Sequence, residues 1–293
     1  MSGFSADWLR LREPFDLAAR SRTLADGFKA ALGPRRAQPW RIVDLACGSG
    51  ANFRALAPWL EGDQAWLMVD HDPRLLAAQR TEIAQWAGRR GWSCEQAHED
   101  RLEIHTGTAR WQVRGRPLDL ARSLEDIDLA TCDGLVTTAF LDLVSAAWLD
   151  RLAALLAKAP RPLLATLSVD GRRTWGPAHP FDPLVAAAFI AHQDGDKGFG
   201  PSLGVRAVPH LAERLTAAGC RVETEASDWQ IGPSHLELLL TLAREAAAVA
   251  AQTRPAEAPA VSAWLADRAA GIRDGTVSLS VGHLDLLAVP GTA

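Results

Sequence analysis

Two carboxylates and a run of small residues carry the most telling chemistry in this chain. Asp44 sits near the end of the apolar run Arg41 to Ala46, which leads straight into Cys47-Gly48-Ser49-Gly50. Small residues at 46, 48 and 50 let the backbone turn tightly and approach a ligand. The helix that follows offers its free N–H groups at the same place. Asp70 closes the next apolar run, 26 residues after Asp44. An acid there can accept two ribose hydroxyls. The pairing favours a ligand that contains a nucleoside.

Other residues could face a second reactant. His192 is the candidate base, because the intrinsic pKa of a histidine suits neutral pH. It opens the polar, glycine-hinged string His192-Gln193-Asp194-Gly195-Asp196-Lys197-Gly198-Phe199-Gly200, which reads as a loop that closes over a ligand. Lys197 and Trp175 lie on the same stretch and are candidate substrate contacts. Near the N-terminus, Arg12 or Arg20 could pair a carboxylate; a solvated helix face is the alternative. Asp142 follows the fourth strand and either faces the site rim or helps cap the next helix. Asp228 and Trp229 follow the sixth strand, near the same rim. His283 reads as a satisfied strand histidine. The spacing of His179, Asp182, His192 and Asp194 fits no metal motif, and no metal is expected.

The elements that must position these residues alternate. Residues 3–32 read as one or two helices, with Trp8, Leu9, Phe15, Leu17, Leu24 and Phe28 at loose helical spacing. Strand, glycine turn and helix follow from Arg41. A second strand, Ala65 to Val69, ends at Asp70, and a helix starting at Pro73 carries Leu76, Ile83 and Ala87 on one face. Residues 92–118 read as a hairpin feeding a third strand. The fourth strand is Gly134 to Ala139. Ser145 caps a helix with the stripe Trp148, Leu149, Leu152, Leu155 and Leu156. The fifth strand is Leu163 to Val169. A helix, Pro209 to Ala218, and a sixth strand, Arg221 to Ala226, come next. Ser234 to Glu237 has capping-box spacing and opens a helix through Ala251. Thr253 to Ala260 reads as a stiff spacer, Ala263 to Ala270 as a short helix, and Val277 to Val281, extending towards Ala288, as the last strand. Such alternation implies a parallel sheet covered on both faces. The expected fold is α/β: a doubly wound, mostly parallel seven-stranded sheet. It would carry a helical cap over 1–38, a core domain over 39–293, a substrate-loop insert over about 170–206 and a helical insert over about 234–272.

Bulk properties exclude several classes. The chain has 293 residues, a net charge of −4 and no basic stripe, so a nucleic-acid partner is not expected. No apolar run is long enough for a membrane span. Four scattered cysteines without a C-x-x-C pair exclude a zinc or dithiol motif and point to a reduced, cytoplasmic protein.

The string V-D-L-A-C-G-S-G at 43–50 resembles the D-x-G-x-G-x-G signature of class I S-adenosylmethionine-dependent methyltransferases, with Ala46 in place of the first glycine. V-D-H-D-P at 69–73, D-L-A at 119–121 and G-L-V-T-T-A at 134–139 match the same family, so the resemblance covers about residues 40–170. It implies S-adenosylmethionine as cofactor and methyl transfer to a small-molecule acceptor. Asp44, Ala46, Cys47, Gly48 and Gly50 would lie by the methionine part. Asp70, with His71 beside it, would hold the ribose hydroxyls. Asp119 and Leu120 would meet the adenine, and Thr138 would line the sulfonium side. N-terminal helices in similar enzymes fold over the cofactor. A nucleotide-dependent oxidoreductase is the alternative, weakened by the missing third glycine and the acid at 44. A silent cofactor-binding relative and a protein or RNA methylase are further alternatives.

Overall fold

A computed structural model describes residues 5–34, 37–193 and 195–291. Asp194, one of the loop residues named above, lies outside them. Two helices lead the chain, α1 (Ala6–Ala19) and α2 (Arg22–Leu32). The first half of the sheet follows as β1 (Trp40–Leu45), α3 (Ala51–Leu60), β2 (Gln64–Asp70), α4 (Pro73–Arg89), β3 (Ser93–His98), β4 (Arg101–His105), β5 (Arg110–Pro117) and the single turn α5 (Leu120–Ser123). The second half is β6 (Gly134–Thr138), α6 (Ala146–Lys158), β7 (Leu163–Gly176), α7 (Asp182–Gln193), α8 (Ala207–Ala217), β8 (Cys220–Ala226), β9 (Trp229–Ile231), α9 (Leu236–Thr253), α10 (Ala258–Arg273) and β10 (Ser278–Pro290).

The strand order is β3-β4-β5-β2-β1-β6-β7-β10-β8, with β9 paired to β10. Strands β5, β2, β1, β6 and β7 are mutually parallel. Strand β10 runs antiparallel between β7 and β8. The chain winds outward from β1 in one direction and from β6 in the other. Their adjacent carboxyl ends therefore form the topological switch point, where open α/β sheets bind ligands.

The expected seven strands are present, and the sheet extends to ten. The segment read as a hairpin contributes β3 and β4, antiparallel to each other, and β4 pairs antiparallel with β5. The fifth strand, expected to stop at Val169, runs on to Gly176 because β10 pairs with it along most of its length. The insert thus begins as strand and then forms α7. The capping box at Ser234 does not form: His235 is the N-cap and makes no side-chain cap hydrogen bond. Its ring instead packs edge-on against Phe15 at 4.7 Å, so tertiary contact overrides the local signal. The supposed spacer is also absent. Pro255 to Glu257 form one 3-10 turn, and α10 starts at Ala258, where Pro259 in the first turn suits a helix start.

Each sheet face buries its own core. Helices α2, α3 and α4 cover one face with Phe28, Phe53, Leu56, Ile83 and Ala87 against Ile42, Trp66 and Met68. Four of the eleven tryptophans (Trp66, Trp86, Trp92 and Trp111) surround or adjoin Phe53 there at ring separations of 5.1–6.2 Å. Aromatic pairs of this kind add about 0.5–1.5 kcal/mol each beyond their burial. Helices α6 and α8 cover the other face, and Ser145 caps α6 as expected. A third core joins α7, α9 and α10 with Trp175, Trp229 and Leu279, and Trp8, Leu11 and Phe15 of α1 pack against it. Trp175, near the carboxyl end of β7, belongs to this cap core. Among the described residues, no helix is long and apolar enough to cross a membrane.

Candidate functional site

Backbone strain marks the switch point. Ala46, Ala139 and Leu167 have φ of 54°, 49° and 59°. These are left-handed values that non-glycine residues avoid and that tend to cluster at functional sites. One lies just past β1, one just past β6 and one within β7, so three adjacent strands bend at the same end of the sheet.

The glycine turn is tied directly to the neighbouring strand. Cys47 N donates to Val69 O at 2.9 Å. Gly48 N donates to Oδ2 of Asp70 at 2.9 Å, and Asp72 N donates to Oδ1 at 2.9 Å. Asp70 is 5% exposed, and these two bonds leave half of its acceptor sites open. Gly50 has φ of 82°, and a Cβ there would stand 3.0 Å from Gln79 Cγ and 3.2 Å from Ile83 Cδ1. Gly50→Ala is expected to cost about 2 kcal/mol from the left-handed backbone and the contact together. Urea denaturation measures it, and an unchanged midpoint would show that the turn tolerates a side chain.

Asp44 is fully buried. Its Oδ1 accepts from Asn52 Nδ2 at 2.9 Å, and its Oδ2 has no partner. Burial pushes its carboxyl up to about 7, against the pull of Asn52 and Arg20, with Asp70 adding repulsion. Arg20 is the cation of this interior. Its Nη1 reaches Asn52 Oδ1 at 2.8 Å and Thr166 Oγ1 at 2.7 Å, and its Nη2 reaches Thr138 Oγ1 at 3.1 Å. It links the glycine turn to the ends of β6 and β7. Burial lowers its pKa, opposed by Asp16, Asp285 and Asp44. Cys47 lies in the turn, where it is buried, and burial pushes its thiol up.

Helix α1 lies across the turn. Leu9 Cδ1 comes within 3.3 Å of the Cβ direction of Gly48. Arg10 pairs with Glu82 of α4 at 2.6 Å. Arg54 of α3 grips Glu13 through Nε at 2.7 Å and Nη2 at 2.5 Å.

The remaining sequence candidates divide into those near this centre and those away from it. Thr138 is at the centre, bonded to Arg20. Asp119 caps α5 through Ala121 N at 3.0 Å, with its side chain 52% exposed, while Leu120 is buried beneath it. His71 is 68% exposed, with Nδ1 3.4 Å from Asp70. Asp142 is buried just past β6, and burial pushes its carboxyl up to about 6. Arg12 lies on the inner face of α1 and contacts Asp16 at 2.9 Å.

Three candidates are spent elsewhere. Trp175 is 4% exposed and packs edge-on against Trp264 at 5.7 Å, so its surface belongs to the cap core. His192 is exposed at the end of α7, with Nε2 3.3 Å from Lys197 Nζ. Burial and the Lys197 charge lower its pKa. The two pair with each other and make no bond to the glycine turn or to Asp70. The insert packs through Phe199, whose ring lies against Phe140 at 5.3 Å and Trp148 at 5.9 Å in the core beneath α6. Asp182 serves the cap, accepting from Arg268 and Trp264. Among the described residues, no group of three or more His, Cys, Asp or Glu side chains could hold a metal ion.

Sequence reasoning passed over two residues. Arg20 was named only beside Arg12, yet it is the residue bonded to the centre. His283 was read as satisfied, yet its Nδ1 is buried without a partner. A histidine whose strand neighbours are Gly282 and Leu284 carries no signal that separates these outcomes.

Two open hollows lie away from the switch point. One, about 500 Å³, is lined by Trp40, Pro160 and Pro290 at the opposite end of the strands. Another, about 320 Å³, lies on the β1–β2–β5 face beside Arg114 and Arg116. Neither contains Asp44, Gly48 or Asp70.

No protein-family model and no curated protein matches the chain. Among solved structures it superposes on phosphoethanolamine N-methyltransferase 2 of Haemonchus contortus in complex with S-adenosyl-L-methionine, at 12% identity and a TM-score of 0.45 over 99% of this chain, spanning 58% of the length of that one. It superposes on a cyclopropane synthase of Mycobacterium tuberculosis at 13% identity and a TM-score of 0.47, covering 97% of this chain and 94% of that one. A putative sarcosine dimethylglycine methyltransferase of Galdieria sulphuraria gives 13% identity and a TM-score of 0.42 over 97% of this chain and 86% of that one. At these values none of them speaks for what this chain does.

Proposed function

We propose that this chain is a class I S-adenosylmethionine-dependent methyltransferase that acts on a small molecule. The observation that carries the reading is the Asp70 carboxylate held 2.9 Å from the Gly48 N–H. It places the acid of the second strand beside the glycine turn at the switch point of the sheet. The residues fit the cofactor. Asp70 retains acceptor sites for two ribose hydroxyls. The buried Oδ2 of Asp44 lacks a partner at the methionine end. Asp119 and Leu120 stand at the end of β5 for the adenine, and Thr138 stands at the end of β6.

The bound cofactor supplies an electrophilic methyl group on a sulfonium. The chain's own task is orientation, exclusion of water and management of the acceptor's proton. Arg20 fixes the side chains at the ends of β6 and β7 around the reacting centre. Helix α1, clamped by the Arg10–Glu82 and Glu13–Arg54 pairs, acts as a lid over the glycine turn. All four cysteines are free thiols, which fits a reducing compartment such as the cytoplasm.

Calorimetric titration with S-adenosylmethionine and S-adenosylhomocysteine tests the assignment. Micromolar dissociation constants are expected for both. Saturable binding of NADH, read by tryptophan fluorescence, with no heat from S-adenosylhomocysteine would replace this reading with the oxidoreductase.

A further inference from the structure

Beyond the glycine turn, a second set of polar residues meets in the interior between cap and sheet. Arg12 and Asp16 lie one turn apart on α1, with Nε of Arg12 on Oδ2 of Asp16 at 2.9 Å. The other Asp16 oxygen accepts from Trp229 Nε1 at 3.0 Å. The Arg12 guanidinium lies over the Trp229 ring at 5.4 Å, and the His283 ring lies 5.0 Å from the same ring. Asp142 has the Val169 backbone N–H beside it and lies within reach of the Arg12 charge. Elements α1, β9 and β10 therefore each bring a side chain to one place, and Asp142, in the segment after β6, feels the Arg12 charge.

These residues are buried: His283 is 3% exposed, Asp16 and Trp229 4%, and Asp142 5%. Even so, Nδ1 of His283 and Oδ1 of Asp142 have no partner. Arg12, whose side chain is only 13% exposed, makes its hydrogen bond through Nε alone among the described residues. Each interior polar group left unpaired costs about 1–3 kcal/mol. Two of them, Nδ1 of His283 and Oδ1 of Asp142, on elements close to the Arg12 side chain, mark a ligand site better than a packing accident does. The chemistry of that ligand follows from the donors. With Nε held by Asp16, the two Nη atoms of Arg12 present a forked end that matches a carboxylate or phosphate.

We propose that the methyl acceptor is an anionic small molecule, seated by its carboxylate or phosphate on the Nη atoms of Arg12, with its reacting N–H or O–H on Nδ1 of His283. This rests on the methyltransferase reading. The acceptor's proton passes to Nδ1 while its lone pair bonds the methyl carbon, and the electrons of the broken carbon–sulfur bond stay on sulfur. The products are the methylated acceptor, a neutral thioether and an imidazolium.

Charge at the site supports this order of events. Burial first, then the Arg12 cation, lowers the His283 pKa to about 4, while Asp16 and Asp170 act the other way. Asp228 accepts from the His283 backbone N–H at 3.3 Å and is paired with Arg172. The imidazole is therefore uncharged at neutral pH, and Nδ1, which has no partner, accepts when the ring proton sits on Nε2. An anion on Arg12 offsets the cation that depresses it, so docking of the acceptor strengthens the base that receives its proton.

The test uses protein saturated with S-adenosylhomocysteine, with inorganic phosphate and propionate as probes. Trp229 reports the titration by fluorescence, with Trp229→Phe as the control among eleven tryptophans. Saturable binding is expected, weakened at least tenfold in Arg12→Met. Imidazole NMR of the unmutated protein should show the His283 pKa rising by about one unit on saturation, a readout that does not depend on any variant folding. His283→Gln should retain the anion. Equal affinity in wild type and Arg12→Met, or an unmoved imidazole, would overturn the proposal while S-adenosylhomocysteine binding leaves the methyltransferase reading standing. Failure of S-adenosylhomocysteine to bind removes that reading and this acceptor site with it.

Discussion

Asp70→Ala is expected to weaken S-adenosylhomocysteine binding at least tenfold, about 1.4 kcal/mol or more. Two losses add. On the proposed function the variant removes the acceptor for two ribose hydroxyls. It also strands two backbone donors, because Gly48 N and Asp72 N each end on this carboxylate at 2.9 Å. The first donor belongs to the turn itself, so the turn loosens exactly where its amides must meet the cofactor. Asp70→Asn separates the contributions. Its amide oxygen keeps one acceptor for Gly48, and its NH2 faces the Asp72 N–H instead of accepting from it. An intermediate affinity is therefore expected for Asn. Calorimetry on all three proteins is the measurement. Equal affinity in wild type and Asp70→Ala would take Asp70 out of the site, and the nucleoside with it.

The alternation of the core strands and helices was legible because each carries its own signal. An apolar run, a small-residue turn and a helical stripe repeat from Arg41 onward, and parallel crossover connections admit few arrangements. The glycine turn and Asp70 were legible as partners because that topology brings the ends of adjacent strands together. The cap was legible only in part: the helix through Ala251 and the helix around Ala263 to Ala270 are expected and stand as α9 and α10, whereas α7 and the packing of the three carry no local signal. Its helices start without side-chain caps at His235 and Glu257, and the capping signal that was present, Ser234 to Glu237, lost to the packing of His235 on Phe15. The acceptor-side residues were the least legible. Arg12, Asp16, Trp229 and His283 meet across 271 residues of chain, and nothing local in the sequence records that a strand histidine ends without a partner. His192 drew attention because its loop looks reactive. The loop instead uses Phe199 to dock on Phe140 and leaves its histidine paired with Lys197.

Asp44→Asn is expected to stabilise the cofactor-free protein while weakening the site. The Asp44 carboxyl titrates at about 7 in the folded protein, against an ordinary 3.8. Between those values the folded state holds a proton that the unfolded chain has released, so stability falls as pH rises through the interval. Spread over about three pH units, the loss is about 4 kcal/mol at pH 8. An asparagine never ionises. Its oxygen can still accept from Asn52, and Arg20 keeps its bonds to Asn52, Thr138 and Thr166. The variant should therefore match wild type near pH 4 and exceed it by up to about 4 kcal/mol at pH 8. The other buried groups set the background. Asp142, raised to about 6, acts in the same direction as Asp44. His283, lowered to about 4, acts oppositely, and its contribution is lost as pH falls from about 6.5 to 4. Neither is touched by the substitution, so the difference between the two proteins isolates Asp44. Urea unfolding at a series of pH values measures it, and parallel curves would mean that Asp44 is not the buried acid that titrates. A gain in stability from removing a charge that folding had to bury fits a residue retained for its ligand rather than for the fold. The unpaired Oδ2 is the atom that ligand would meet.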